Sequence, residues 1–432
     1  MVRKLKHTEI GDIPVDWELQ TFDETFRVIS NNTLSRENLN NRGGAVKNIH
    51  YGDILTKFPE VLDCNEEEIP YVNELSLLSS STQLLQDGDI VVADTAEDET
   101  VGKVIEVQNL GDSKLVAGLH TIPCRVKKGD FAPGWLGYYM NSDLFHNQIL
   151  PYITGIKVSS ISKGAISETL ILVPPFDEQE KIVQSLNKIQ LLMTAETKVV
   201  NKIKLVKNGC LSKMFPQKDD TVPEMRLPGF TEAWEQRKLS EIAIEKLSNG
   251  IMNNQANDET GLRHINVINM YDPDKIHPEK LTFSNYDEDA VKKCNVEWGD
   301  IFLTRSSLKP EGIAESNVLL DSGRFVYDDH LIRLKLDKEK YDPFFVKLNL
   351  SGSIFKRQFI ARAKTTAFTT IGQEDIAECF GLFPEKEEQE KIGTYFSNLD
   401  HLITFHQCKS DKYSNIKKGM MSDLLTGKIR LV

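Results

Sequence analysis

Long apolar runs are missing from this sequence of 432 residues, which has no stretch near the roughly 20 residues that cross a bilayer as a helix. Residues 1–17 contain early Lys and Arg with no apolar run behind them, so we expect no signal peptide. A hydrophobic share of 40% with 27% charged residues is typical of a globular protein, and the length predicts two to three domains. We therefore expect a cytoplasmic protein with no membrane partner.

Cysteine is scarce, and its spacing argues against two kinds of site. No pair has the C-x-x-C spacing of a zinc site, and the scattered positions argue against a disulfide framework. We therefore expect a reduced chain that binds no metal. The six residues are Cys64, Cys124, Cys210, Cys294, Cys379 and Cys408.

An excess of basic residues is missing too. The chain has 52 Lys and Arg against 64 Asp and Glu, a net charge of -12. Because affinity for phosphate rests on clustered Lys and Arg, this balance counts against a nucleic-acid binder that acts alone. Residues 198–213 nevertheless contain five lysines and no acid. That run is either a solvated helix face or a contact with DNA or a partner.

The sequence is duplicated. Glu178-Gln179-Glu180-Lys181-Ile182 returns letter for letter as residues 388–392, and the register persists on both sides. Downstream, Leu186, Ile189, Leu192, Met193, Lys207, Gly209, Ser212 and Met214 correspond to Phe396, Leu399, Leu402, Ile403, Lys417, Gly419, Ser422 and Leu424. Upstream, His120, Phe145, Gln148, Ile161 and Ile166 correspond to His330, Phe355, Gln358, Ile371 and Ile376. Each copy is a globular segment followed by a long helix.

Each globular segment is predicted to have a mixed α/β (α+β) fold. Short β-rich runs are bounded by Gly-Asp turns, such as Gly88-Asp89 and Gly299-Asp300. The predicted strands are residues 45–51, 89–93, 103–107 and 170–173 in the first copy and 262–267, 301–304 and 325–336 in the second. The predicted helices are residues 135–150 and 343–359, where apolar residues recur at helical spacing. His120 and His330 are predicted at equivalent strand positions, as structural histidines.

Two amphipathic helices follow Pro174 and Pro384, which end the strands before them. Asp177 with Glu180 resembles a capping box, and the first-turn acids suit the positive end of the helix dipole. Gly209 and Gly419 predict either close helix approach or a local helix end. The apolar stripes, which we expect to form a coiled coil or to contact a partner, contain Ile182, Leu186, Ile189, Leu192, Val199, Ile203, Ile392, Phe396, Leu399, Ile403, Tyr413 and Ile416.

The connectivity predicts how these helices pair. The linker Pro216 to Pro228 is too short for a parallel pair, so we expect an antiparallel coiled coil with pseudo-twofold symmetry. A helix of some 35 residues is about 50 Å long, comparable to one to one and a half turns of DNA. The predicted segments are residues 1–175 (first globular domain), 176–216 (first helix), 217–384 (second globular domain) and 385–432 (second helix and C-terminal tail).

The order of these motifs resembles the specificity (S) subunit of a type I restriction-modification system. Ile13-Pro14-x-x-Trp17-Glu18 opens the first half, and Leu227-Pro228-Gly229-Phe230 with Trp234-Glu235 opens the second. The twin P-x-x-x-E-Q-x-K-I helix starts and the Lys-x-Gly-x-x-Ser helix ends complete the pattern, which covers nearly the whole chain. Each motif alone is weak, and their duplicated order is specific.

The resemblance implies two target-recognition domains, each reading one half of a split site in double-stranded DNA. It implies two methyltransferase (M) subunits as partners and, through them, endonuclease and translocase (R) subunits. It also implies that S-adenosylmethionine, ATP and Mg²⁺ bind only to partner subunits, because family members are non-catalytic. Partner subunits would then make many of the contacts with DNA phosphates, so the net negative charge of this chain does not exclude DNA binding.

The sequence contains no convincing reaction centre. Val173-Pro174-Pro175-Phe176 resembles the [D/N]-P-P-[FYW] loop of amino-methyltransferases, but Val173 offers no acceptor for the base's amino group. Residues 426–429 lack the upstream glycine and the following hydroxyl of a phosphate loop. Pro273-Asp274 has no E-x-K partner at strand spacing, and no H-E-x-x-H or nucleophile elbow occurs. We expect a chain without catalysis of its own.

Base contacts are expected from polar and basic side chains on loops held by a rigid core. Lys157 with Ser159, and Lys364 with Thr365 and Thr366, are favoured because they lie in matched polar loops before the last strand of each copy. For each residue the alternative is an ordinary exposed polar side chain. The candidates are Asn31, Asn32, Arg36, Arg42, Lys47, Tyr51, Thr95, Lys103, Lys157, Asn253, Asn254, Arg263, Asn269, Arg305, Ser306, Lys309, Arg362, Lys364 and Thr366.

Two other functions fit some of these observations. A coiled-coil scaffold or adaptor that binds no DNA would use the helices to assemble a complex, and its assembly would show no DNA dependence. An enzyme that acts alone would need a reaction centre, and the sequence offers none.

Overall fold

The computed structural model describes residues 4–155, 157–217, 220–256 and 259–431. The chain forms two compact units, one from Met1–Ala195 with Lys409–Val432 and the other from Glu196–Cys408. These units, called unit 1 and unit 2, each contain parts of both long helices. Within the described ranges, no helix is long and apolar enough to cross a membrane.

Unit 1 is built around a five-stranded sheet in the order 26–28, 121–126, 90–93, 104–108, 61–63. A four-stranded sheet in the order 115–117, 47–49, 71–72, 39–40 lies beside it in the same unit. Its strands are Leu5–Thr8, Gly11–Pro14, Glu18–Thr21, Phe26–Val28, Leu39–Asn40, Lys47–Ile49, Val61–Asp63, Tyr71–Val72, Ile90–Ala93, Thr95–Ala96, Val104–Gln108, Leu115–Ala117, Thr121–Val126, Ser159–Ser160 and Leu170–Val173. Its short helices are Phe22–Thr25, Tyr51–Thr56, Trp135–Tyr139, Asp143–Ile149 and Lys163–Ser167.

Unit 2 repeats this plan with a four-stranded sheet in the order 248–249, 331–334, 301–304, 316–318. A parallel pair of strands recurs as well, Lys47–Ile49 with Leu115–Ala117 in unit 1 and Leu262–Ile265 with Phe325–Tyr327 in unit 2. The strands of unit 2 are Glu235–Lys238, Ser248–Asn249, Leu262–Ile265, Thr282–Ser284, Ile301–Thr304, Ser306–Ser307, Ser316–Val318, Phe325–Tyr327, Leu331–Leu334, Lys364–Thr365, Thr369–Thr370 and Phe380–Phe383. Its short helices are Leu239–Ile242, Glu288–Cys294, Pro343–Leu350, Ser353–Arg362 and Gln373–Ala377.

The first long helix is Phe176–Met214 and the second is Lys386–Leu424. Within unit 1, Lys417 Nζ lies 2.7 Å from Gln190 Oε1. Within unit 2, Glu196 contacts His406 and Cys210 contacts Tyr395. As residue numbers rise along one helix they fall along the other, which confirms the predicted antiparallel pairing.

The start of each long helix is part of a unit's core. Ile182 and Leu186 are fully buried among the core residues of unit 1, and Ile392 and Phe396 take the same places in unit 2. The far end of the other helix joins the same core, through Leu424 in unit 1 and through residues 214–215 in unit 2. Burying apolar surface stabilises the folded protein by about 25 cal/mol per Å². These side chains therefore attach each helix pair to the core of its unit.

Several predicted elements are confirmed and several are shorter than predicted. Residues 170–173 and 301–304 are strands as predicted. The predicted helix over 135–150 is two helices, because the Ser142 hydroxyl caps a new helix at the Phe145 amide. Residues 343–359 likewise divide at Ser351-Gly352, and strand 325–336 divides at a turn over residues 328–330.

Several smaller predictions were wrong. His120 and His330 lie in turns before strands, and His120 has a positive φ of 55°. Asp177 is the second residue of its helix and not its cap. Neither Gly209 nor Gly419 interrupts a helix, and a Cβ atom built at either position meets no atom within 4 Å, so neither marks close helix approach.

Candidate nucleic-acid interface

A small polar sheet follows the buried central strand of unit 1. Strand Ile90–Ala93 is buried throughout, and two residues later Thr95–Ala96 pairs with Ser159–Ser160. The half-exposed His120 ring lies beside it, with Nδ1 3.2 Å from Thr95 Oγ1 and 3.3 Å from Asp94 Oδ1. The Tyr51 ring contacts that of His120 edge-on at 5.2 Å. We call Tyr51, Thr95, His120, Ser159 and Ser160 polar patch 1.

The same position in unit 2 has different side chains. Strand Ile301–Thr304 is buried, and Ser306–Ser307 then pairs with Thr369–Thr370, which pairs with Lys364–Thr365. Arg305 is exposed and its Nη1 lies 3.4 Å from the carbonyl oxygen of Asp329. We call Arg305, Ser306, Ser307, Lys364 and Thr370 polar patch 2. Patch 2 carries two cations, Arg305 and Lys364, and beside them lies His330, the counterpart of His120, whose carbonyl oxygen accepts a hydrogen bond from the Arg305 amide.

A partly buried asparagine holds the turn behind each patch. Asn31 Nδ2 donates to the carbonyl oxygens of Gly118 and Thr121 at 3.1 and 3.0 Å. Asn249 Nδ2 donates in the same way to those of Asp329 and Leu331 at 2.9 and 3.0 Å. Sequence reasoning placed Asn31 among the base contacts and did not single out Asn249. Both amides are committed to the backbone and position the turns.

Several predicted contacts lie at or next to the two patches. Thr95 and Tyr51 belong to patch 1, with the exposed Lys157 two residues before Ser159. Arg305, Ser306 and Lys364 belong to patch 2. Lys309, Arg362 and Thr366 are exposed and lie within three residues of the strands of patch 2 in sequence.

The structure places the other candidates elsewhere. Lys103 donates to the carbonyl oxygens of Leu55 and Phe58, and burial lowers its pKa. Asn269 is buried and accepts a hydrogen bond from the amide of Asn266, which removes it from the residues that we propose for base contacts. The remaining ones are Arg36, paired with Asp53; Lys47, donating to Cys64 O; Asn32, bonded to Asn48 and Ala117; Asn253, bonded to Asn266; Asn254, bonded to Asn285; and the exposed Arg42 and Arg263.

The twin Glu-Gln motif has a defined structural role in both units. Glu178 is buried and accepts two hydrogen bonds from Arg430 and one from Trp17 Nε1. In unit 2, Glu388 accepts two hydrogen bonds from Arg226 at 2.8 and 2.7 Å. Hydrogen bonding to these carboxylates raises the pKa of both arginines.

The glutamine of the motif fixes the helix start to the globular part of its own unit. Gln179 accepts from the Ala132 amide and donates to the carbonyl oxygen of Pro174. Gln389 accepts from the Asp342 amide and donates to the carbonyl oxygen of Pro384. Sequence reasoning missed the two arginines. The signal was available, because an Arg-Leu pair follows each long helix, at 226–227 and at 430–431.

The repeated Lys-x-Gly motif also binds within its unit. Lys417 contacts Glu60 Oε2 at 2.5 Å, and its equivalent Lys207 is paired with Asp400. Close to that pair, Lys347 is buried and donates to the Asp274 carbonyl oxygen at 2.9 Å. Its burial lowers its pKa to about 8. Lys207 and Asp400 thus join the two long helices of unit 2, and Lys417 and Glu60 join the second long helix to the globular part of unit 1.

Comparisons with known proteins agree with this architecture. Residues 14–205 match the family model described as the type I restriction modification DNA specificity domain. The chain is 24% identical, over 99% of its length and 96% of the relative's, to the putative type I restriction enzyme MjaX specificity subunit of Methanocaldococcus jannaschii. It is 24% identical, over 60% of its length and 56% of the relative's, to the EcoKI specificity subunit of Escherichia coli K12.

Solved structures show the same fold. The type I restriction-modification S subunit from M. genitalium aligns with a TM-score of 0.57 at 13% identity, covering 98% of this chain and 99% of that one. A chain from a structure of the assembly and conformational transition of the type I R-M system aligns with a TM-score of 0.52 at 14% identity, covering 96% and 99%.

Proposed function

Because this chain belongs to the specificity subunits of type I restriction-modification systems, we propose that units 1 and 2 each read one half of a bipartite DNA site. The chain is the DNA sequence-specificity component of such a system and is not catalytic itself. The comparisons give no support to a scaffold that binds no DNA.

One observation supports the assignment of one half-site to each unit. The two units repeat one backbone plan, yet they carry different side chains at the same place, polar patches 1 and 2. Two domains that recognise different base sequences are expected to share a backbone fold and to differ in the polar side chains that it presents. Direct readout needs only a few side chains that match the donor and acceptor pattern of base edges in the major groove.

The chemistry of the patches supports different roles. Arg305 and Lys364 in patch 2 can donate to guanine O6 and N7, which is the commonest specific contact with DNA. Thr95, Ser159 and Ser160 in patch 1 can donate to or accept from several bases. The Tyr51 and His120 rings would add selectivity through the shape of the surface that meets the bases. Phosphate contacts position a protein on DNA, and base contacts specify the sequence.

The long helices are the parts that we propose for assembly. Leu191 and Leu205 are 69% and 73% exposed on the first helix, and Ile416 is 40% exposed on the second. Contiguous apolar patches that are exposed on a protein surface mark sites that bind another protein. We propose two methyltransferase (M) subunits as these partners, with the endonuclease (R) subunits bound through them and the length of the helices setting the half-site spacing.

We further propose that S-adenosylmethionine, ATP and Mg²⁺ of the reaction bind to those partners, in the cytoplasm. The deciding experiment reconstitutes the chain with its methyltransferase subunit and maps methylated adenines on genomic DNA. Methylation confined to one bipartite motif is the expected result. Methylation that ignores sequence would overturn the proposal.

A further inference from the structure

A cluster of metal-binding side chains lies in the turn before strand Leu331–Leu334 of unit 2. Asp328, Asp329 and His330 each offer one ligand atom, and these atoms lie within 4.8 Å of one another. His330 Nδ1 lies 2.9 Å from Asp328 Oδ1 and 3.0 Å from Asp329 Oδ1. Acidic clusters of this kind are common on protein surfaces, so the cluster alone does not indicate a ligand.

The independent observation is a buried histidine that faces the cluster from behind. His264 is fully buried on strand Leu262–Ile265, and its Nε2 has no hydrogen-bond partner among the residues that the structure describes. That atom lies 4.0 Å from Asp328 Oδ2, the carboxylate oxygen that does not contact His330. The distance is too long for a hydrogen bond.

A chain of hydrogen bonds determines which nitrogen of His264 carries the proton. Asn253 donates from its Nδ2 to Asn266 Oδ1, so its Oδ1 is free to accept from the Ser284 hydroxyl at 3.1 Å. Ser284 has then used its only proton, and at 2.7 Å its oxygen accepts from His264 Nδ1. In the neutral ring with its proton on Nδ1, the lone pair on Nε2 is directed towards Asp328 Oδ2.

Two facing acceptors repel each other unless a cation lies between them. Zinc binds histidine nitrogen at about 2.0–2.1 Å and carboxylate oxygen at about 2.0–2.2 Å. A tetrahedral ion with bonds of this length holds its ligand atoms about 3.3–3.5 Å apart, so Nε2 and Oδ2, now 4.0 Å apart, would have to approach by about half an ångström for one ion to contact both.

Unit 1 shows what the same place looks like without these donors. In the matching parallel strand pairs, Ile49 pairs with Ala117 and Ile265 pairs with Tyr327. The residues beside these pairs are Asn48 and Gly118 in unit 1, and His264 and Asp328 in unit 2. A Cβ atom at Gly118 would lie 2.6 Å from Asn48 Nδ2. Where unit 1 has the neutral amide of Asn48 next to Gly118, unit 2 has the imidazole of His264 next to the carboxylate of Asp328.

We propose that unit 2 binds one divalent transition-metal ion, of which Zn²⁺ is the example, at Asp328, Asp329, His330 and His264. Imidazole and carboxylate donors together suit zinc and its neighbours better than Ca²⁺ or Mg²⁺, which take oxygen ligands. The sequence-based expectation of no metal rested on cysteine spacing and did not consider this donor set.

The ion would stabilise the turn that supports polar patch 2. The Asp329 carbonyl oxygen accepts from both Asn249 Nδ2 and Arg305 Nη1, so the turn that carries the ligands also holds an arginine of the patch. Fixing this turn would reduce the freedom of the Arg305 side chain. The role is structural, and it does not depend on the proposed reading of DNA.

The test uses the full chain without a histidine tag, stripped of metal with a chelator. Calorimetric titration with Zn²⁺, and the visible absorption of Co²⁺ as a substitute, are expected to give saturable binding of one ion per chain. Asp329→Asn and His330→Asn, both at partly exposed positions, are expected to weaken binding by more than about tenfold. His264→Asn introduces the residue that unit 1 has, and it should weaken binding as well.

Two control variants separate this site from adventitious binding. His120→Asn changes the equivalent histidine of unit 1, and His277→Asn changes another histidine of unit 2 that contacts carboxylates, those of Asp274 and Glu279. Both are expected to bind as the unaltered chain does. The proposal is wrong if binding does not saturate at one ion per chain, if Asp329→Asn and His330→Asn bind unchanged, or if His277→Asn abolishes binding.

Discussion

Arg430 and Glu178 form a two-pronged ion pair, with Nε 2.6 Å from Oε1 and Nη2 2.7 Å from Oε2. The arginine follows the second long helix, and the glutamate is in the first turn of the first. Arg226 and Glu388 repeat the arrangement with the helices exchanged. Each unit thus joins the end of one helix to the start of the other through a buried carboxylate.

Removing Arg430 should weaken unit 1 locally. Arg430→Ala would leave Glu178 buried without its cation, at a cost of about 3 kcal/mol. Hydrogen exchange should become faster in peptides around residues 13–21 and 176–186, with no change in unit 2. Lys428→Ala, which removes an exposed lysine paired with Asp423, is the control. Equal protection in Arg430→Ala and the unaltered chain would contradict this role.

Asp300 should make unit 2 more stable at mildly acidic pH. Its burial raises the pKa from 3.8 to about 6, although Arg333 lies 3.7 Å away. Because the folded state binds the proton more tightly than the unfolded state, this contribution to stability rises as the pH falls from 6 to 4. It amounts to at most about 3 kcal/mol.

The measurement compares melting temperatures of Asp300→Asn and the unaltered chain. The variant should melt higher at pH 7, and the difference should disappear near pH 4. Asp89, in the matching turn of unit 1, is held by Arg125 Nε and Nη2 at 2.8 and 2.6 Å. Asp89→Asn should therefore lower the melting temperature at pH 7. A stabilising effect of both substitutions would show that the difference between the two turns is unimportant.

Two helical glycines are open to stabilising substitution. A Cβ at Gly209 or Gly419 meets nothing within 4 Å, so alanine should add about 1 kcal/mol at each position. Gly393 in the second long helix is the control, because a Cβ there would lie 2.8 Å from Asp342 Oδ1. Thermal melting should rise for Gly209→Ala and Gly419→Ala and not for Gly393→Ala. A lower melting temperature for Gly209→Ala and Gly419→Ala would contradict the prediction, because it would mean that a Cβ at these positions meets other atoms in solution.

Exchanging one globular segment should change one half-site. Replacing residues 224–384 with the corresponding segment of a relative should alter half of the methylated motif and leave the other half and its orientation intact. The physical reason is that each unit carries its own polar patch on its own core. Mapping methylated adenines checks this, and changes in both halves would contradict it.

Single substitutions in the patches should also act on one half each. Arg305→Ala removes a bidentate donor and should cost about 1–3 kcal/mol of discrimination at one base pair. Thr95→Ala should relax the other half by less, because a hydroxyl makes fewer contacts. Methylation rates of oligonucleotides altered in either half-site measure both effects. Each variant is the control for the other, and a uniform loss on all sites would assign Arg305 to phosphate.

The sequence by itself determined the duplication, the two long helices and their antiparallel pairing. Those features can be read from the order of residues alone, namely the 210-residue offset of Glu178 and Glu388, the apolar spacing after Pro174 and Pro384, and a short linker. It also determined strands 170–173 and 301–304, because compact apolar runs bounded by turn residues have few other solutions.

Only the tertiary structure decided which polar side chains are free and which are committed. Asn31 and Asn269 resemble any exposed asparagine in the sequence, yet the fold turns their side chains onto the backbone. Glu178 meets Arg430, and His264 faces Asp328, across long separations in the chain that no local pattern encodes. Hydrogen bonds and ion pairs act over a few ångströms, so their partners are known only when the strands and helices have been packed.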